Sequence, residues 1–151
     1  MKESLFIRLA LISEKVELEQ LQTRASLANE RDRDAILAHP DAIEVPLEQI
    51  AGGRVFVSEC QGTMAGFAAI EPREDGEIEL DGLFVDPRMQ RRGIGKALIE
   101  HCAEVVRQQG SRAIHVVGNP HAAEFYSACG FEVIGTTETR FGPGILMRKL
   151  V

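Results

Sequence analysis

The chain has 151 residues, of which 44% are hydrophobic and 26% charged, the balance of a globular domain with a proper core. A formal net charge of −6 argues against a nucleic-acid binder, which would present a basic face. No apolar run reaches the length of a membrane span, and Met1-Lys2-Glu3-Ser4 is not a secretion signal. Residues 1–151 are therefore expected to form a single domain, cytoplasmic and away from membranes. Cys60, Cys102 and Cys129 form no CxxC and cannot all pair, which suits free thiols in a reducing compartment.

In chain order, Leu5 to Leu11 reads as a strand. Ser13 is placed to cap a helix whose inner side is Val16, Leu18, Leu21, Ala25 and Ala28. Glu30 to Ala38 is a second helix, ended by His39-Pro40, and its charge run Glu30-Arg31-Asp32-Arg33-Asp34 reads as a solvated face. Asp41 to Gly53 reads as a connection. From Arg54 the pattern turns to an antiparallel meander, with turns at Gln61-Gly62 and between Pro72 and Gly76. Its third strand, Glu77 to Val85, alternates as far as Asp81 and is then continuously apolar through Leu83-Phe84-Val85, which suits burial on both sides. Gly82 marks the junction, where a bulge is expected.

The next stretch organises the chain. After Asp86-Pro87 comes Gln90-Arg91-Arg92-Gly93-Ile94-Gly95, and then a helix with Ile94, Ala97, Leu98, Cys102, Val105 and Val106 on one stripe. Lys96, Glu100, Glu104 and Gln108 face away, and Gly110 is a plausible stop. First-turn amides lack intrahelical partners and point outward at the positive end of the helix dipole, so a strand, a glycine loop and a helix start together make a phosphate site. Arg88, Arg91, Arg92 and Lys96 place four positive charges in nine residues without an acid, while the rest of the chain carries −10 against the total of −6. The loop is neither a P-loop nor a dinucleotide fingerprint. Beyond it, Ala113 to Val117 reads as a strand parallel to its predecessor. Asn119 as cap, Pro120 and Gly130 punctuate a helix with Ala122, Phe125, Tyr126 and Cys129 on its apolar side. Phe131 to Thr139 and Ile145 to Leu150 close the chain as two strands around Phe141-Gly142-Pro143-Gly144.

The string Gln-x-x-Gly-x-Gly after an apolar strand ending Asp-Pro resembles the acyl-CoA-binding motif of the GNAT N-acetyltransferase superfamily. Residues 119 to 131, Asn-Pro-x-Ala-x-x-Phe-Tyr-x-x-x-Gly-Phe, resemble that family's later helix and following strand. The resemblance implies an α/β fold with a mixed, mostly antiparallel sheet, flanked by helices and splayed between the motif strand and the next. Acetyl-CoA would lie in that gap as acyl donor, with an amine as acceptor, in a monomer or homodimer without a metal.

By the same resemblance, the backbone of Leu83, Phe84 and Val85 faces the pantetheine arm. The amides of Arg91, Arg92, Gly93, Ile94, Gly95 and Lys96 hold the pyrophosphate, and Gln90 steadies the loop. Asn119 contacts the cofactor arm or serves only as a helix cap. Tyr126, the single tyrosine, protonates the departing thiolate; a phenol of pKa about 10 can supply a proton to a thiol of about 8.5. Otherwise it is a core tyrosine with a backbone partner. A cationic acceptor amine must lose a proton before attack, and Glu79, eleven residues before Gln90, is the candidate base, with Glu77 behind it. As an alternative, Glu77, Glu79 and Asp81 are simply the wet face of a strand. His39, His101, His115 and His121 show no metal-ligand spacing. A ping-pong enzyme using Cys129 is a rival, as is a non-catalytic acyl-CoA sensor or interaction domain.

Overall fold

Two left-handed residues, Gln61 (φ 53°) and Gly62 (φ 79°), join Val55–Cys60 (β2) to Thr63–Pro72 (β3), the positive-φ pair that a tight hairpin requires. This hairpin is the centre of the first of two compact units. The computed structural model describes residues 5–151, without the side chains of Glu30 and Arg31, so the reading of Met1–Ser4 lies outside the described residues. Contacts divide the chain into one unit ending at Ala69 and taken up again from Gly82 to Leu98, and a second of Ile70–Asp81 with Ile99–Val151. The strands hydrogen-bond in the order β1-β2-β3-β4-β5-β7-β6. Strands β3 and β4 (Ile78–Val85) and helix α4 (Ile94–Gln108) each run from one unit into the other.

In the first unit, Leu5–Leu9 (β1) pairs antiparallel with β2, and β2 with β3. Helix α1 (Lys15–Ala28) buries Leu18 and Leu21 in a core with Val55, Val57, Met64 and Phe67, against which Phe84 packs. The inner side of α1 differs from the expected stripe. Val16 is 64% exposed and Ala28 is exposed, while Ser26 is buried. Ser13 caps nothing: it lies inside a single 3-10 turn, Ile12–Glu14, and Glu14 takes over by accepting from the Leu11 amide at 2.8 Å and from Arg8 at 2.8 and 2.9 Å. Helix α2 (Glu30–Ala38) follows as expected; Asp32 is half-buried and Asp34 exposed. The stretch expected as connection contains a short helix, α3 (Leu47–Ala51), begun at Pro46 and driven by burial of Gln49 and Ile50.

In the second unit, the first residues of β4 pair in parallel with Ala113–Gly118 (β5) at Ile78↔Ile114 and Glu79↔His115, where that ladder ends. Gly142–Leu150 (β7) is antiparallel to both β5 and Glu132–Thr139 (β6). Strand β7 begins three residues earlier than the sequence suggests. Pro143 fits inside it because the β5 ladder stops at Gly118↔Ile145, leaving the missing N–H on an open edge. Gly144 fits because any Cβ there would come 2.8 Å from side-chain carbons of Thr139 and Val117. Helix α4 buries Ile94, Leu98, Cys102 and Val106 as its periodicity predicts, and Gly110 (φ 87°) stops it. No helix among the described residues is long and apolar enough to cross a membrane.

Candidate functional site

The first unit carries the loop. Strand β4 ends at Leu83, Phe84 and Val85, each half-buried where burial on both sides was expected. They lie in the fourth of seven strands but beyond the β5 ladder, which stops at Glu79↔His115. Phe84 explains part of this: its ring packs on Phe67, centroids 5.4 Å apart, and its carbonyl lies close enough to Gly66 that a Cβ there would sit 2.8 Å away. Asp86 follows, 1% exposed, with its amide bonded to the Ala65 carbonyl at 2.8 Å. Its Oδ1 accepts from the Arg88 amide (2.9 Å) and Nε (3.0 Å), and its Oδ2 from Arg88 Nη2 (2.8 Å) and Arg24 Nη2 (3.1 Å). Foremost the Arg88 guanidinium holds this carboxyl well below the usual carboxylate range, over the opposing cost of burial. Arg88 is thus committed to Asp86, and the basic residues expected around an anion reduce to Arg91, Arg92 and Lys96.

Beyond the single 3-10 turn Pro87–Met89, the loop takes an uncommon backbone course. Arg91 has φ 64° and Gly93 φ 74°. A non-glycine residue in the left-handed region costs roughly 1 kcal/mol or more and marks a position fixed by its surroundings. Alternation of left- and right-handed residues turns successive N–H groups toward one side, making an anion-binding nest. The helical ladder opens with Ala97 N donating to Gly93 O at 3.0 Å, so the Ile94, Gly95 and Lys96 amides stand ahead of it. Ile94 and Gly95 are buried; Gln90, Arg91, Arg92, Gly93 and Lys96 are exposed. Nothing lies within 4 Å of where a Gly93 Cβ would stand, so this glycine is required by its φ rather than by crowding.

The second unit carries the candidate chemistry. Tyr126 lies in the short helix α5 (Ala123–Ala128), half-buried, with the rings of Phe125 and Phe131 edge-on at 5.3 and 5.5 Å. Its ring lies over Gly118, where a Cβ would meet it at 3.2 Å. Burial first, and the neighbouring Cys129 second, push the phenol up to about 12, making it a weaker acid than free tyrosine. Asn119 stands at the cap position of the 3-10 turn Pro120–Ala122, but its side chain makes no capping hydrogen bond. Glu79 is half-buried in β4, in register with His115. Glu77, the second candidate base, is taken by His115, whose Nε2 lies 2.8 Å from Glu77 Oε1.

Donor atoms of Asp75, Glu77 and His115 fall within 4.8 Å of one another, a grouping hidden by the separation of 38 positions between Glu77 and His115. It is knit by its own bonds, since Asp75 accepts from the Glu77 amide (2.9 Å) and from Arg73 Nη2 (3.1 Å). The three cysteines form no disulfide and are buried, and burial pushes the Cys102 thiol up to about 12. Cys129 is 9% exposed, a poor place for the nucleophile of a ping-pong route. A groove of about 610 Å³ in the first unit is walled by Val16, Thr23, Arg24, Leu27, Leu37 and Ile43 among others, which accounts for the exposure of Val16.

A mixed sheet flanked by helices, with a left-handed glycine loop leading into its long helix, defines the class as an acyl-CoA N-acyltransferase fold. The profile of the acetyltransferase (GNAT) family matches residues 18–131, and the chain belongs to that family. The fold is that of the N-acetyltransferase PaiA from Thermoplasma acidophilum, solved in complex with coenzyme A, at a TM-score of 0.79 and 20% identity over 98% of this chain and 99% of that one. In sequence, the chain is 41% identical over 88 residues to an uncharacterised N-acetyltransferase of Methanocaldococcus jannaschii, 51% of this chain and 38% of that protein. It is 30% identical over 101 residues to the spermine/spermidine N(1)-acetyltransferase of Bacillus subtilis, 60% of this chain and 66% of that protein. The chain thus spans less than two-thirds of either relative.

Proposed function

We propose that residues 1–151 work as one domain that transfers an acetyl group from acetyl-CoA to a primary amine by direct attack. The observation that carries this reading is the pair of left-handed residues, Arg91 and Gly93, set immediately before the open first turn of α4. Amides from Arg91 to Lys96 receive the pyrophosphate, with Gln90 steadying their approach, and the Leu83–Val85 backbone and Asn119 line the pantetheine arm. Glu79 takes a proton from the acceptor ammonium, directly or through water, and the freed amine attacks the thioester carbonyl. Backbone amides of the sheet stabilise the oxyanion; collapse of the tetrahedral intermediate breaks the C–S bond and releases the CoA thiolate. With a phenol near 12, Tyr126 serves as a hydrogen-bond donor to that thiolate, since full transfer to a group of pKa about 8.5 is uphill. No step calls on a metal.

The same raised phenol favours a second reading, an acyl-CoA sensor that binds the donor without turning it over. Incubation with acetyl-CoA and a panel of amines, followed by release of free thiol, separates the two. Spermidine and spermine head the panel because a Bacillus subtilis relative carries them in its name. Thiol release with at least one amine is expected; binding without release across the panel would leave the sensor. Three buried cysteines without a disulfide fit a reducing compartment such as the cytoplasm, where the protein would act as a monomer or homodimer.

A further inference from the structure

Among the described residues Asp86 is the one buried carboxylate, and burying such a group is costly unless it is paired and hydrogen-bonded. Its two charged partners come from distant parts of the first unit. Arg88 stands two residues after Asp86 and two before Gln90, whereas Arg24 lies on α1, 62 residues before Asp86. Asp86 also fixes the start of the loop through its own backbone, its carbonyl accepting from the Met89 amide at 2.8 Å while Oδ1 holds the Arg88 amide. A nest of amides binds an anion well only if its N–H directions are set beforehand, and here they depend on a left-handed arginine. Arg24 meanwhile forms part of the wall of the groove on α1 and α2.

We propose that Asp86 and Arg24 are positioning residues for the donor: the buried carboxylate clamps Arg88 and Arg24 and so presets the 90–96 nest, tying it to helix α1. This rests on reading the nest as the pyrophosphate site. Two roles follow that loop sequence alone does not suggest. Arg88, for all its 73% exposed side chain, orients the nest instead of neutralising phosphate. Arg24, from helix α1, holds Asp86 Oδ2 and so ties the start of the loop to that helix.

The experiment compares binding of desulfo-CoA with binding of pantetheine, which shares the arm and lacks the pyrophosphate, by titration followed through amide NMR. Wild-type protein should bind desulfo-CoA far more tightly. Asp86→Asn should shrink that preference by roughly tenfold and Arg24→Gln by roughly threefold, each leaving pantetheine affinity unchanged. General loosening of the fold would weaken both ligands alike and overturn the proposal. If Asp86→Asn fails to fold, Arg24→Gln decides, since its side chain is 43% exposed and outside the core; a retained preference there also overturns it. Wild-type protein without any preference for desulfo-CoA would defeat the pyrophosphate reading itself, a result distinct from variants that merely keep the preference.

Discussion

The 90–96 loop and the Glu79–Tyr126 pair occupy different units and depend on different parts of the chain. On the proposed reading, the working groups of the loop are backbone amides, aimed by φ angles at Arg91 and Gly93 and by bonds to a buried aspartate. In the roles proposed for Glu79 and Tyr126, the working groups are side-chain ends, whose value depends on proton affinity. Backbone recognition tolerates most side-chain changes and is destroyed by conformational ones; side-chain chemistry behaves the other way. The difference can be broken experimentally by substitutions that touch one kind of group and spare the other.

The largest effect is expected from Gly93→Asp. At φ 74° any side chain is strained, and this one adds a negative charge to the anion nest. Acetyl-CoA affinity measured by calorimetry should fall by roughly 10²-fold or more, and acetyl-CoA should no longer raise the melting temperature. Intact affinity would reduce the loop to a turn.

Glu79→Gln should come next, lowering turnover by roughly 10²-fold while leaving acetyl-CoA affinity nearly unchanged. The loss should narrow at high pH, where the acceptor amine deprotonates unaided. A wild-type rate and pH profile would return Glu79 to the wet face of its strand.

Tyr126→Phe removes only a hydroxyl and keeps the ring packed against Phe125 and Phe131. Turnover should fall by roughly tenfold, with stability maintained. Because burial pushes the phenol up to about 12, it stays protonated through the neutral and mildly alkaline range. Wild-type activity should therefore show no basic limb from Tyr126 below about pH 11, and raising the pH should not rescue the variant. A basic limb present in wild type and absent from Tyr126→Phe would show that the phenol titrates lower.

The contrast also explains what the sequence disclosed. Gly62, Gly93 and Gly110 are local requirements, each taking a positive φ that glycine adopts without strain. The apolar stripe of α4 was equally legible, since each of its buried positions repeats along one helix. Arg88 counts toward the basic island in sequence, and its pairing with Asp86 stays hidden there because the burial of Asp86 depends on strands and a helix distant in sequence. Glu77 is a candidate base in sequence, and only the fold sets His115 against it. Helix α3 escaped notice because its five residues are too few for a periodicity to emerge. The outward turn of Val16 reflects a groove wall, which no single-helix pattern can reveal.

The smallest effect, and the one that sharpens the comparison most, belongs to Arg91→Gly. This residue contributes both a left-handed backbone and a positive charge to the nest. Glycine adopts the same φ without strain, although it gains freedom in the unfolded chain, so the two terms offset and stability should move by less than about 1 kcal/mol. The nest keeps its amides and loses one cation. Acetyl-CoA affinity should fall only a few-fold at low ionic strength, and the gap between variant and wild type should close as salt is raised, because screening removes what the exposed guanidinium contributes. Calorimetry across a salt series measures both. A loss as large as that of Gly93→Asp, unchanged by salt, would mean that the Arg91 side chain grips the donor directly, and the backbone account of the loop would give way to a side-chain one.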